Sequence, residues 1–285
     1  MIYFCADDYG ISKGTNLRIE QCLNSGVLNK VSVLPNGEIK GFKQCLQEKN
    51  AKISLHINLV EGYPLSEAKE IPMLVTEKGC FKYSFIGLFL RSIINKRKLE
   101  EQLQIEMRKQ IRFWKEQMGE DTPVSLDSHQ HTHMIPLIFK TLLHVIEEEN
   151  VNVEYLRFPT EPIAPYILNP SLYFSYSIAG ILKQWLLNLL GWINQKKMKK
   201  TQIPYKYFVG IMFSGKLTER KIKTILPHYL KLAERDKKDI EITFHPGQLE
   251  EDETLLAGHR ASFEKFYKSP WREREFQTLI NLKLD

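Results

Sequence analysis

Cysteine is scarce in this chain, and its arrangement excludes a disulfide framework. Only 4 of the 285 residues are cysteine. All of them fall in the first third of the chain, and none forms a CxxC motif. Small domains that depend on disulfides carry several cysteines at regular spacing. Cys5 lies in an apolar run, so a free buried thiol is predicted there instead.

Signals for nucleic-acid binding and for secretion are also lacking. The formal net charge is +6, but four of the positive charges lie in residues 195–200, and no arginine-rich stripe accompanies them. No nucleic-acid partner is therefore predicted. A strand-like run starts at Ile2 and leaves no room for a signal peptide. A cytoplasmic location is expected, with peripheral contact at the inner membrane face as an alternative.

Strand-like and helix-like patterns alternate along the chain, which predicts a parallel sheet covered by helices. Polar clusters follow most of the strand-like runs, and this favours a distorted (β/α) TIM-like barrel of about seven parallel strands over a doubly wound sheet. One domain is predicted over residues 1–285, with long excursions at about 61–94 and 160–204. The predicted strands are about Ile2–Ala6, Val31–Leu34, Lys52–Ile57, Val124–Leu126, Val153–Phe158, Phe208–Phe213 and Ile240–Phe244.

The second excursion contains a helical pattern whose apolar side chains, from Ile178 to Ile193, share one face. Polar residues interrupt it too often for a bilayer-spanning helix. One interpretation is that this face packs on the barrel or on a second subunit, as in a homodimer. The other is peripheral membrane contact through residues 178–200, because Trp185, Trp192 and the lysines that follow suit an anionic lipid interface.

Adjacent carboxylates at Asp7 and Asp8 follow the first predicted strand. Consecutive side chains on a strand point to opposite faces, but a turn at the strand end would bring both into one pocket. One carboxylate would then hold a metal ion while the other takes a proton from water. The alternative is that Asp8 starts a turn or caps the next helix.

Histidines form the strongest cluster in the sequence. His129, His131 and His133 alternate directly after a predicted strand, so their imidazoles share one face if the segment is extended. A dense set of imidazoles and carboxylates at strand ends is typical of a divalent metal site. His56 lies in an apolar run, where a lone histidine is more often a core residue than a ligand.

Three further residues are candidates. Asn58 is expected on the same side of its strand as His56, where it would orient a ligand or bind substrate. His245 precedes Pro246-Gly247, a turn that would fix its backbone, and it suits a general acid. Arg157 is interpreted either as a buried partner that lowers the pKa of Asp7 or as a surface residue.

Together these segments resemble the YdjC-like carbohydrate deacetylases (ChbG/HpnK type), which include the chitooligosaccharide and hopanoid-associated enzymes. The resemblance is carried by residues 6–12, 55–66, 127–136, 156–159 and 244–247, in the family's order. It implies a distorted β/α barrel, one divalent ion, and removal of acetyl from an N-acetylated carbohydrate: an amino sugar, an oligosaccharide or a sugar-lipid.

The resemblance also implies roles for individual residues. The implied metal ligands are Asp8, His56 and His129, the base is Asp7 and the acid is His245. His131 and His133 line the substrate site or support the ligands. Such a ligand set accepts Mg, Zn, Mn, Co or Ni. The alternatives are another metal-dependent hydrolase such as a phosphoesterase, and a non-catalytic sugar-binding or membrane-docking protein.

Overall fold

Seven parallel strands form one sheet in the computed structural model, which describes residues 1–247, 256, 258–259 and 261–284. Six of the seven predicted strands overlap the observed ones closely. The seventh, predicted at Phe208–Phe213, is observed as a much shorter strand. The strands are β1 (Ile2–Tyr9), β2 (Lys30–Val33), β3 (Lys52–Ile57), β4 (Val124–Ser128), β5 (Val153–Leu156), β6 (Tyr207–Val209) and β7 (Ile240–Phe244).

Helices separate most of the strands, as the crossover connections of a parallel sheet require. The predicted helices over residues 14–26, 99–118 and 137–149 are all observed, within a few residues of their predicted ends. The helices are α1 (Lys13–Ser25), α2 (Phe42–Glu48), α3 (Phe85–Ile94), α4 (Lys96–Met118), α5 (Pro136–Glu148), α6 (Ala164–Ile167), α7 (Ile178–Thr201), α8 (Glu219–Asp236), α9 (Ala261–Tyr267) and α10 (Trp271–Asn281).

The sheet is strongly curled, and one side chain shows it. The strand order is β5-β4-β3-β2-β1-β7-β6. In a flat sheet β5 and β1 would lie four spacings of about 4.8 Å apart. Arg157, directly after β5, nevertheless donates to Asp7 on β1 at 2.7 Å. The two edge strands are not paired with each other within the described residues, so the result is a distorted, incompletely closed α/β barrel, as predicted.

The two faces of the curled sheet differ in polarity. Along β1, Phe4 and Ala6 belong to the apolar core, whereas Cys5 and Asp7 accept hydrogen bonds from Arg157 on the inner face. On β7, Glu241 accepts from the same guanidinium at 2.6 Å. The barrel interior is therefore a buried network of charges, and helix packing on the outer face provides the hydrophobic stabilisation.

The two excursions supply helices α3 and α7. The buried side of α7 mixes apolar side chains of the core, Leu187, Leu190 and Met198, with polar and small residues. Asn194 donates to the Met134 carbonyl at 2.8 Å, and a Cβ at Gly191 would lie 2.2 Å from Thr160. Trp185 and Leu189, in contrast, are exposed. The interpretation that the apolar face packs on the barrel is therefore wrong for Trp185 and Leu189. It is confirmed for Leu190, which lies in the core, and for Leu186, which packs against the core.

Candidate metal centre

A β-bulge brings both adjacent carboxylates into one site. The pairing of β1 with β2 matches Ala6 to Val31 and then Tyr9 to Val33, so two residues of β1 face one of β2. Asp8 takes a left-handed backbone conformation with φ of 71°, which is rare for a residue other than glycine and is concentrated at functional sites. The strand continues to Tyr9, so the bulge, rather than a turn at the strand end, places Asp7 and Asp8 together.

Asp8, His56 and His129 form a group suited to a metal ion, and we call these three residues the metal group. One donor atom of each lies within 4.8 Å of the others, and all three residues are buried. Asp8 Oδ1 is 2.6 Å from Nδ1 of His129 and 3.3 Å from Nε2 of His56. Nε2 of His129 is buried and has no hydrogen-bond partner among the described residues. This buried set of two imidazoles and one carboxylate, which includes an imidazole nitrogen without a partner among the described residues, fits a divalent cation held by two nitrogens and an oxygen.

His56 is oriented by a second carboxylate. Its Nδ1 contacts Asp127 Oδ1 on the neighbouring strand, which leaves Nε2 facing Asp8, the usual arrangement for a metal-ligating histidine. Burial would lower the pKa of His56, but Asp127 and Asp7 outweigh it and raise the pKa to about 10. These carboxylates favour the protonated ring, and a metal ion bound to it would replace that proton.

A second acidic group, formed by Asp7, His56 and Asp127, also has metal-compatible spacing. Here, however, the guanidinium of Arg157 already lies 2.7 Å from Asp7 and 3.2 Å from Asp127. A divalent cation would be repelled by that fixed positive charge. Of the two groups, the one that contains Asp8 is therefore the better suited to hold a cation.

Arg157 is buried and paired, which decides between its two interpretations. It holds both carboxylate oxygens of Asp7, at 2.7 and 2.9 Å, in a bidentate pair. Burial would raise the pKa of Asp7, but Arg157 and His56 outweigh it and lower the pKa well below the ordinary value. Asp7 is therefore an ionised carboxylate beside the metal group.

The histidine cluster is not extended, so its three rings diverge. Residues 129–134 form a 3₁₀ segment in which Gln130 and His131 have left-handed backbone conformations. His129 reaches the metal group, while His133 turns inward and is bonded to Ser128 Oγ at 2.6 Å and the Arg157 carbonyl at 2.8 Å. His131 packs edge-on against Phe208, and its Nδ1 has no partner among the described residues.

His245 approaches the centre from β7 and is fixed by the C-terminal helix. Its backbone N–H donates to Glu275 at 2.7 Å, and its carbonyl accepts from Arg272 at 2.8 Å. Its Nδ1 lies 3.9 Å from the Glu275 carboxylate. Burial lowers the pKa of His245, against the opposing effect of Asp8 and Glu275.

A cavity of about 500 Å³ opens over these groups, within the usual size of a ligand pocket. Both aspartates, the two metal-group histidines, His131 and His245 line it. Asn58 is not among its described lining residues. Its side chain instead bonds the backbone of Val60 and Glu61 and thereby shapes the loop after β3.

Four residues around the site received no role from the sequence. Asp127 lies two residues before His129, and that strand spacing was a usable signal. Tyr267 donates to Asp8 Oδ2 from α9. Arg272 and Glu275 hold the backbone of His245 from α10. No local pattern ties α9 and α10 to the first strand, so only the tertiary structure identifies them.

Known proteins share this fold and sequence pattern. The solved structure of a candidate cellobiose-phosphate cleavage protein from Enterococcus faecalis superposes with a TM-score of 0.58 at 16% identity, covering 100% of this chain and 96% of that one. At that identity the likeness concerns the fold alone.

Curated relatives extend the comparison to sequence. A carbohydrate deacetylase from Clostridium beijerinckii is 28% identical over 65% of this chain and 73% of its own length. A carbohydrate deacetylase from Xenopus laevis is 30% identical over 54% of this chain, and the match spans about half (49%) of that protein. A chitooligosaccharide deacetylase from Escherichia fergusonii is 29% identical over 51% of this chain and 55% of its own length. A sequence model of the YdjC-like proteins matches residues 1–284, and the chain belongs to that family.

Proposed function

We propose that this protein is a metal-dependent hydrolase that removes acetyl from an N-acetylated carbohydrate, releasing acetate and a free amine. The observation that carries the proposal is the buried Asp8, His56 and His129 group at the base of a cavity that Asp7 and His245 also line. Relatives named carbohydrate deacetylase support the substrate class. The metal is one divalent ion: Mg, Zn, Mn, Co or Ni.

Asp7 is the proposed base. Asp8, His56 and His129 would hold the ion, which when bound polarises a carbonyl and lowers the pKa of water. Asp7 is ionised and held by Arg157, so it accepts the proton of the water that attacks the acetamide carbon. The rigid bidentate pair keeps that carboxylate directed at the cavity and removes the reorganisation that a mobile base would need.

His245 is the proposed acid. An amide nitrogen leaves slowly unless it is protonated as the carbon–nitrogen bond breaks, and His245 delivers that proton. Burial lowers the pKa of His245, and the Glu275 carboxylate, 3.9 Å from Nδ1, opposes that effect. The anchored backbone on both sides of the residue keeps the ring at the cavity wall.

A phosphoester substrate is disfavoured by the charge of the cavity. Of the described residues that line it, Lys183 is the single lysine or arginine, whereas Asp7, Asp8 and Glu61 are acidic. Arg157 lies beneath, already paired to three carboxylates. Phosphate sites recruit several cations or backbone nests to balance the charge of the substrate, and a neutral acetamide needs neither.

Acetate release tests the proposal. Purified protein is expected to release acetate from at least one member of a panel of N-acetylated sugars, oligosaccharides and sugar lipids. Chelation should abolish the release, and added divalent metal should restore it. Hydrolysis of phosphoesters without any acetate would contradict the proposed reaction, and activity that persists after complete metal removal would contradict the metal assignment.

Metal affinity should separate a ligand from its supporting residue. His56→Ala removes a donor and is expected to abolish stoichiometric metal binding. Asp127→Asn keeps the donors but loosens the ring of His56, and about 10- to 100-fold weaker affinity is expected. His144→Ala, on the surface of α5, is the control for loss of a histidine. Calorimetric titration measures the metal affinity. Equal affinities of His56→Ala and Asp127→Asn would refute the assigned roles.

A further inference from the structure

Helices α3 and α7 flank the mouth of the cavity. Both pack on the His129–Met134 turn that carries a metal-group histidine. Phe85 and Ile86 of α3 and Leu182 and Leu186 of α7 line the cavity itself. Whatever covers these two helices therefore lies next to the entrance of the site.

Each helix also presents an apolar stripe to solvent. On α3 the stripe consists of Ile86, Leu90, Ile93 and Ile94, all of them exposed, Ile94 by 71%. We call these residues, together with the α7 residues named next, the apolar rim. Soluble surfaces seldom leave neighbouring large aliphatic side chains exposed unless something binds there.

The α7 part of the apolar rim is larger and contains two tryptophans. Trp185 is 65% exposed and Trp192 is 74% exposed. Its members are Ile178, Leu182, Trp185, Leu189, Trp192 and Ile193. Ile86 and Leu182 belong both to the apolar rim and to the cavity lining, so each helix carries an apolar side chain that joins the exposed surface to the site.

Positive charge borders the apolar rim on both helices. After Asn95, which caps the end of α3, the next helix begins with exposed Lys96, Arg97 and Lys98. The last turns of α7 carry Lys196, Lys197, Lys199 and Lys200. Neither α3 nor α7 contains an acidic residue. Tryptophan and aliphatic side chains next to lysine clusters are the composition that lies in the interface of an anionic bilayer.

We propose that the apolar rim docks this protein on an anionic membrane surface and opens the cavity toward the lipid, so that it takes an N-acetylated sugar carried on a lipid chain. The substrate half rests on the proposed deacetylase function, and the docking half does not. Within the described residues no helix is long and apolar enough to cross a membrane. The proposed contact is one of insertion at the surface, with α3 and α7 lying along it.

Vesicle flotation tests the docking without catalysis. Wild-type protein should float with phosphatidylcholine vesicles that contain phosphatidylglycerol, and less with phosphatidylcholine alone or at high salt. The double change Trp185→Asp with Leu189→Asp should weaken binding about tenfold or more, because two anchoring side chains would have to leave the interface. The double change Leu90→Asp with Ile93→Asp on α3 should weaken vesicle binding to a similar extent. Leu17→Asp with Leu230→Asp, at exposed leucines of α1 and α8, should change nothing.

Two results would overturn the docking: the wild type does not float, or the rim variants float as well as the wild type. If the wild type does not float but forms a dimer that the rim substitutions dissociate, the apolar rim is an interface between two copies of the chain.

Acetate release then tests the substrate. The Trp185/Leu189 variant should lose about tenfold in rate on a vesicle-borne N-acetylated glycolipid and keep its rate on a soluble N-acetylated oligosaccharide. Equal rates on the glycolipid would refute the substrate half. Flotation without acetate from either substrate would leave the docking intact and remove the proposed deacetylase function.

Discussion

Asp7→Asn is expected to lower turnover by about a hundred- to ten-thousandfold while the protein still binds its metal. Asparagine keeps one oxygen for Arg157 but cannot accept a proton from water. The donor group Asp8, His56 and His129 does not include this side chain, so metal content should stay at the wild-type level. Acetate release, metal per chain and thermal unfolding should be measured on the same sample.

The control for Asp7→Asn is Asp121→Asn, the same chemical change at an exposed position. It should leave all three measurements unchanged. Full activity of a folded Asp7→Asn protein would refute the assignment of Asp7 as base. Loss of metal together with activity would instead place Asp7 among the ligands, in spite of its pairing with Arg157.

Arg157→Met is expected to cost about 3–5 kcal/mol of stability, because it leaves buried carboxylates without their counter-ion. Arg157 lies within 2.7 Å of Asp7, 3.2 Å of Asp127 and 2.6 Å of Glu241, and its side chain is 0% exposed. It also ties β5 to β1 and β7 across the open barrel. Arg157→Lys, which retains the charge but not the fork of donors, should lose less. Denaturant unfolding measures both.

Arg112→Met is the matched control for this prediction. Arg112 makes two bonds to Glu149, at 2.7 and 2.9 Å, but on the surface of α4, where such a pair contributes less than about 1 kcal/mol. A similar loss of unfolding free energy in both variants would refute the claim that burial makes the Arg157 ion pairs more stabilising than a surface pair.

The same network predicts how stability depends on acidity. Burial would raise the pKa of Glu241, but Arg157 and Lys30 outweigh it and lower the pKa to about 2. A carboxylate whose pKa is lower in the folded state stabilises the protein above its unfolded pKa of about 4.3. That contribution should be lost as the pH falls from about 4 toward 2. Glu241→Gln should make the free energy of unfolding, measured with denaturant, depend less on pH in this range.

Local pattern determined much of the fold. Apolar runs bounded by polar residues located the strands, because a strand of a parallel sheet is covered on both faces and so consists mainly of apolar residues. The spacing of Leu99, Leu103 and Met107 located α4 for the same reason. Polar clusters at strand ends predicted a metal site, because the carboxyl ends of parallel strands meet, and the resemblance to the YdjC-like family implied Asp8, His56 and His129 as its ligands.

Other features depended on the tertiary structure. An extended cluster would have placed His129, His131 and His133 on one face, but left-handed residues at Gln130 and His131 turn the rings apart. Nothing in a period-two pattern signals such a backbone. The predicted apolar face of α7 was similarly divided: Leu190 lies in the core, but the helix orientation, with Asn194 and Gly191 buried, leaves Trp185 and Leu189 exposed.

The sequence by itself therefore determined the strands, the family and the ionisable groups, since these depend on residue type and spacing. Only the tertiary structure decided which groups meet: the bulge that joins Asp7 to Asp8, the guanidinium of Arg157 that spans the barrel, and the support of His245 by Glu275. The contact between Arg157 and Asp7, 150 positions apart, depends on the curvature of the sheet, and that between His245 and Glu275 depends on how α10 packs. No local pattern encodes either distance.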